Sequence, residues 1–141
     1  MLLVLSLFFC FNLSSECVTK DGVGLRLRPS KKAALTWEVR KYFPFKKLKK
    51  ETKYWTQILD LYGNKHWIPK MHYTKRYHCV IVKADESRIK EEPRIASKDK
   101  YREPAFKYET FRFLRAKRGW IKVQDVHGDT GWLLYKDVWV D

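Results

Sequence analysis

Neither a serine nor a cysteine of this sequence stands in a nucleophile motif, and no pair of carboxylates emerges that could divide acid and base work. Most acidic residues are flanked by Lys or Arg and read as solvated surface. Catalysis is therefore not expected. Cys79 with His72 and His78 lacks any paired ligand spacing, so no metal site is expected either, and no cofactor. No window holds a helical period, which excludes helical folds and leaves short strands as the building material. There is also no apolar run of the ~20 residues a membrane-spanning helix needs. The longest, Met1 to Leu13, is uncharged and followed by Ser14 and Ser15. That pattern is expected of a secretory signal peptide over residues 1–15, although no Lys or Arg precedes its apolar core. An exported chain without a stable span in its mature form follows, placed in the periplasm or cell envelope.

What the sequence does contain, it contains twice. Trp55-Thr-Gln-Ile-Leu-Asp-Leu-Tyr-Gly-Asn-Lys-His-Trp-Ile-Pro69 is echoed 65 positions later by Trp120-Ile-Lys-Val-Gln-Asp-Val-His-Gly-Asp-Thr-Gly-Trp-Leu-Leu134. Each copy brackets its hairpin with two tryptophans and carries an Asp-x-x-Gly turn, Asp60 to Gly63 and Asp125 to Gly128. Upstream, Leu25, Arg26 and Pro29 match Ile89, Lys90 and Pro93. A strand Leu35–Val39 and the segment Tyr42-Phe-Pro-Phe45 follow in the first unit, with Lys107 to Arg115 as their counterpart; Arg88 to Arg102 reads as a long charged loop. Units of about 60 residues have thin cores, so aromatic residues, 16% of the chain, must supply much of the burial. Short strands at this spacing indicate a small barrel or sandwich. No Gly-, Ser- or Pro-rich spacer separates the copies, so units 16–74 and 79–141 should pack closely.

Cys17 and Cys79 each open a repeat and are each followed by Val. They form either one inter-domain disulfide or two small hydrophobes buried in first strands, and spacing alone does not bring their Cα atoms within the ~7 Å a bridge requires. The net charge of +14 favours anionic partners, including envelope polymers, and Lys46-Lys-Leu-Lys-Lys50 with its neighbouring aromatics suits a polyanion or nucleic-acid binder. Export argues against nucleic acid, and a solvated edge that discourages aggregation explains the run equally well.

Taken together, the Leu-Arg-x-x-Pro segment, Trp55 and Trp120, the Asp-x-x-Gly turns and the closing His66-Trp67 and Gly131-Trp132 pairs resemble the bacterial SH3 family in its exported tandem form. The resemblance covers nearly all of residues 17 to 140 and implies an all-β fold of two tandem SH3-like small β-barrels preceded by a signal peptide. It also implies an aromatic groove for extended peptides. In the first copy that groove would comprise Tyr42 or Phe43, Trp55, Pro69 and Tyr73; in the second, Tyr108, Trp120 and Tyr135. Leu134 replaces Pro69 in the second copy. Trp67 and Trp132 are expected in the cores. The function implied is a non-catalytic binding module of the bacterial cell envelope that recognises peptidoglycan peptides or an extended protein segment. A basic polyanion or nucleic-acid binder, and an accessory domain of a cell-wall enzyme, are the competing readings.

Overall fold

The computed structural model describes residues 15–140; the apolar segment on which the expected leader falls lies outside the described residues. The chain is all-β. Its first half contributes β1 (Glu16–Val18), β2 (Val23–Arg26), β3 (Leu35–Val39), β4 (Pro44–Glu51), β5 (Trp55–Leu59), β6 (Lys65–Pro69) and β7 (Tyr73–Thr74). Its second half contributes β8 (Cys79–Val82), β9 (Glu86–Ser87), β10 (Ala105–Phe106), β11 (Thr110–Lys117), β12 (Trp120–Gln124), β13 (Thr130–Leu134) and β14 (Val138–Trp139). Single 3-10 turns, Lys70–His72 and Tyr135–Asp137, precede β7 and β14. The first sheet runs β3-β2-β6-β5-β4-β1-β7 and the second β13-β12-β11-β8-β14, with β9 and β10 paired separately. Each order ends on two edges, with no hydrogen-bonded pairing that closes it among the described residues. No helix among those residues is long and apolar enough to cross a membrane.

The repeated hairpins form by the same hydrogen bonds. In the first, the Asp60 and Gly63 N–H groups donate to the Asn64 and Asp60 carbonyls; in the second, Asp125 and Gly128 donate to Asp129 and Asp125. Oδ1 of each Asp accepts two more backbone N–H groups, from Tyr62 and Asn64 at 2.8 and 3.0 Å and from His127 and Asp129 at 2.9 and 3.0 Å. Gly63 and Gly128 take φ of 79° and 89°, a region closed to most side chains, so the Gly three residues after the Asp is a conformational requirement. Fixed turns fix the register. Trp55 lies opposite Pro69 and Ile58 opposite His66; Trp120 lies opposite Leu134 and Val123 opposite Gly131. Side chains then alternate, sending Ile58 into one core and Ile121 and Val123 into the other.

The stretch read as a long charged loop, 88–102, repeats the β2–β3 hairpin with almost no ladder. Arg26 bridges to Leu35 and Trp67, and Lys90 bridges to Asp99 and Trp132 in the same way. Turn bonds match as well: the Leu27 N–H donates to the Ala34 carbonyl, and the Glu91 N–H to the Lys98 carbonyl, each at 3.0 Å. Charged residues hid the correspondence because the second hairpin is stitched by ion pairs. Lys90 holds Asp99 at 2.6 Å, and this hydrogen bond keeps the Asp99 carboxyl below the usual carboxylate range. Lys107 to Arg115, for its part, overlies the tyrosine turn and β4 and leaves β3 unmatched; Tyr42 and Tyr108 both sit at positive φ, 69° and 71°, each donating its N–H to the end of the first strand, Val18 or Val82.

The remaining Oδ2 of each Asp ties its turn to this hairpin by different means. Buried His66 stands between Asp60 Oδ2 and Thr36 Oγ1, 2.7 Å from each. At the matching place in the second copy, a methyl on Gly131 would run into the Ile89 side chain, and Tyr101 reaches Asp125 Oδ2 directly at 3.2 Å. Burial, followed by the charge of Asp125, pushes the Tyr101 phenol up to about 12.

Strand β8 is buried along its whole length because it serves two cores. Val80 and Val82 pack with Phe111, Ile121, Val123 and Leu133, whereas Ile81 packs with Val18, Leu25, Phe43, Phe45 and Ile58 of the first half. Cys79, on the Ile81 side, is joined to Cys17 by a disulfide with Cα atoms 5.8 Å apart. The two cysteines are not equivalent positions. Strand pairing sets Cys17 opposite Pro44 and Ile81 opposite Thr110, so Ile81 is the counterpart of Cys17, and Cys79 is that of Ser15. Ser15 itself is buried, its carbonyl 3.0 Å from His78 Nδ1. Thr110 Oγ1 also donates to the Lys41 carbonyl across the halves at 2.6 Å.

Closing a loop of 62 residues removes about 4 kcal/mol of denatured-state entropy. The Cys17→Ala/Cys79→Ala protein should therefore lose about 2–4 kcal/mol in urea unfolding; an unchanged midpoint would show that the bridge contributes nothing. Asp60→Ala, which orphans two turn N–H groups and a buried imidazole, should cost about 3 kcal/mol. The more exposed Asp125→Ala should cost less, and the reverse order would contradict the role given to His66.

Candidate binding face

Because Trp55 faces Pro69 across β5 and β6, the two side chains stand together on the outer face of the first sheet. The chain brings three further elements to them. The β2–β3 loop supplies Pro29, Ser30 and Lys31, the residue before β5 supplies Tyr54, and the 3-10 turn after β6 supplies Lys70 and Met71. These residues line a hollow of about 500 Å³. Tyr54 is 67% exposed and Met71 80% exposed, high values for large apolar side chains this close to one another. The backbone beneath is held: the Lys70 N–H donates to the Tyr54 carbonyl at 2.9 Å, and the Lys70 ammonium meets Glu51 at 3.1 Å. Lys53 lies over the Tyr54 ring at 5.2 Å. Beside the hollow, His72 has its pKa lowered, first by burial and then by the positive charges of Lys20 and Lys31. The face is apolar with a positive rim.

The other residues singled out in the sequence lie elsewhere. Tyr42 is buried against the disulfide, its ring edge-on to Tyr77 at 5.8 Å, where its left-handed backbone turns it inward. Tyr73 is held by a 2.8 Å hydrogen bond to Thr56 Oγ1 and an edge contact with Phe45, so it seals the core rather than the groove. Tyr108 sits between the halves, edge-on to Trp37 at 5.5 Å, with its hydroxyl 2.7 Å from that of Tyr62. That hydrogen bond, ahead of burial, pushes the Tyr62 phenol up to about 12. Trp120 is buried at 7% exposure, alongside Trp67 at 7% and Trp132 at 4%, while Tyr135 is 42% exposed.

The second copy thus does not reproduce the hollow of the first. Gly119 stands where the first has Tyr54, Leu134 where it has Pro69 and Lys136 where it has Met71. Tyr54 and Met71 were missed in the sequence because neither belongs to a repeated motif, and Pro29 because its motif, shared with Pro93, reads as a strand exit. The signal available for the first two was their very lack of a like counterpart. A second hollow, of about 330 Å³, lies between the halves around Trp37, Phe106 and Tyr108, with Glu38, Arg40, Lys107 and Glu109 on its walls. Among the described residues no group of three His, Cys, Asp or Glu is placed to hold a metal ion.

No protein-family model matches the chain, and no curated protein does. Among solved structures it is similar to NlpC2 of Trichomonas vaginalis, at 13% identity and a TM-score of 0.40 over 92% of this chain. NlpC1 of the same organism aligns at 13% identity and a TM-score of 0.38 over 89%. The chain spans 48% and 45% of those two chains, less than half of either.

Proposed function

We propose that this chain is a non-catalytic binding module of the bacterial cell envelope, exported behind its apolar leader. Its two halves are read as tandem SH3-like barrels, each closed by side-chain packing at the edges where hydrogen bonds stop. In this reading the first half holds an extended peptide, from peptidoglycan or from a protein, across Trp55, Pro69, Tyr54 and Met71. The observation that carries it is the joint exposure of Tyr54 and Met71 over the Trp55–Pro69 pair. Flat rings offer contact area at little entropic cost, and the cationic rim of Lys31, Lys53 and Lys70 suits a ligand carrying carboxylates. The second half, whose Trp120 is sunk, supports the first through β8 and the disulfide rather than duplicating its groove.

The test is retention on purified peptidoglycan and on peptide arrays. Trp55→Ala and Tyr54→Ala should each weaken binding about tenfold or more, equivalent to roughly 1.4 kcal/mol, as expected for central aromatic contacts. Trp120→Phe, on the other half, should leave it unchanged. Equal retention of the parent and both groove variants would remove the groove from the proposal.

A further inference from the structure

We infer that the outer face of the β11–β12 hairpin is a second binding surface, distinct from the Trp55 groove, for a linear phosphodiester polymer that carries no nucleobases. Between Glu109 and Asp125 the sequence has no acidic residue, while Arg112, Arg115, Lys117, Arg118 and Lys122 all fall there. The register concentrates these charges. Val123 and Ile121 turn into the core, so Lys122 points outward, and the irregularity between Phe113 and Arg115 keeps Arg115 and Lys117 on that same outer side, while Arg112, opposite Cys79, reaches Tyr77 at the seam. Arg115 is the direct cross-strand partner of Lys122, which in turn is opposite Trp132. Like charges directly opposite one another destabilise a strand pair. Nothing acidic relieves them: none of the ion pairs among the described residues involves any of these five side chains.

The first half shows that the fold does not require this arrangement. At the repeat offset of 65 positions, Gln57 occupies the place of Lys122 and Thr52 that of Lys117. The same hairpin there also carries Glu51, paired with Lys70. The second copy therefore keeps a repulsion that the first avoids. It is made tolerable by aromatic rings: Arg115 lies 5.3 Å and Lys122 6.0 Å from the centre of the Trp132 ring, and Arg112 lies 4.7 Å from that of Tyr77. These contacts hold the cations in place before any ligand arrives.

The same geometry selects the occupant. Single-stranded nucleic acid sites combine cations with open aromatic platforms on which bases stack. Here Trp132 is 4% exposed and already covered by the cations, so bases find no ring. A peptide that adds as a strand bonds to backbone groups at an edge, in the plane of the sheet, and does not lie on the face from which these side chains project. What remains is a flexible chain of anions read by charge. Arginine forks match phosphate oxygens in pairs, and successive outward residues stand about 6.6 Å apart along a strand, a spacing a flexible phosphodiester backbone can follow.

A synthetic glycerol phosphate oligomer titrated onto the full chain over a range of salt concentrations tests this. Arg115→Gln/Lys122→Gln should weaken binding tenfold or more at low salt and flatten the dependence on salt by about 1.4 in log–log slope, the value for two lost contacts to a single-stranded chain. Lys49→Gln/Lys50→Gln, which removes the same charge from the first half, should stay within about twofold of the parent. The charge-preserving Arg115→Lys/Lys122→Arg protein should bind within about threefold, which separates lost contact from lost folding. Equal weakening by both Gln pairs, tighter binding of single-stranded DNA or heparin than of the oligomer, or no binding at all would each overturn the inference. Trp55→Ala should not change this affinity, so failure here and failure of the peptide groove are independent results.

Discussion

One strand, Cys79–Val82, is buried on both faces, and the arrangement of the whole molecule follows from that. Alternation along an extended backbone sends Val80 and Val82 into the second core and Cys79 and Ile81 toward the first. Each half is small enough that its own core is thin, so the two gain by sharing. Trp139 of the last strand packs on the first core for the same reason. The disulfide and the tyrosine pair Tyr42 and Tyr77 then lie at the seam between the cores. A linker of independent beads could not bury this strand.

Within each half the governing element is the carboxylate at the hairpin turn. One oxygen closes the turn on two backbone N–H groups; the other is tied to the neighbouring hairpin, through His66 and Thr36 in one copy and through Tyr101 in the other. A slip of one residue would send the core face of each hairpin to solvent, so a turn that admits one register protects the whole sheet. The two copies solve the second tie differently because of what lies nearby. Ile89 crowds Gly131 and leaves no room for a side chain there, whereas His66 occupies the matching place in the first copy.

The two halves differ where the strand pairing and turns they have in common do not depend on the residue. Tyr54 and Met71 make the first copy apolar at the surface; Gly119 and Lys136 do not. Lys117 and Lys122 make the second copy basic on a face that is neutral at Thr52 and Gln57 in the first. Two related frames thus present two different chemistries. Any ligand-binding role rests on these differences more than on the repeated motif, which is mostly occupied in holding the fold.

The all-β class, the two hairpins and their Asp-x-x-Gly turns were determined by sequence alone, since turn geometry and strand alternation depend on residues close together in the chain. So was the correspondence of Leu25-Arg26 with Ile89-Lys90, which the matching bridges to Trp67 and Trp132 reproduce. The second hairpin at 88–102 was not legible, because ion pairs replace the ladder that a strand pattern would reveal. Nor was the relation of the cysteines: both precede a valine, yet two residues of register separate Cys79 from the counterpart of Cys17. Tyr42, Tyr73 and Trp120 look alike in sequence to ring-bearing groove residues, and only tertiary packing decided that Tyr42 faces the disulfide seam, that Tyr73 packs on the first core and that Trp120, on the outer face, is covered. Burial of an aromatic side chain is set by what crosses it from distant parts of the chain, and a linear sequence does not contain that information locally.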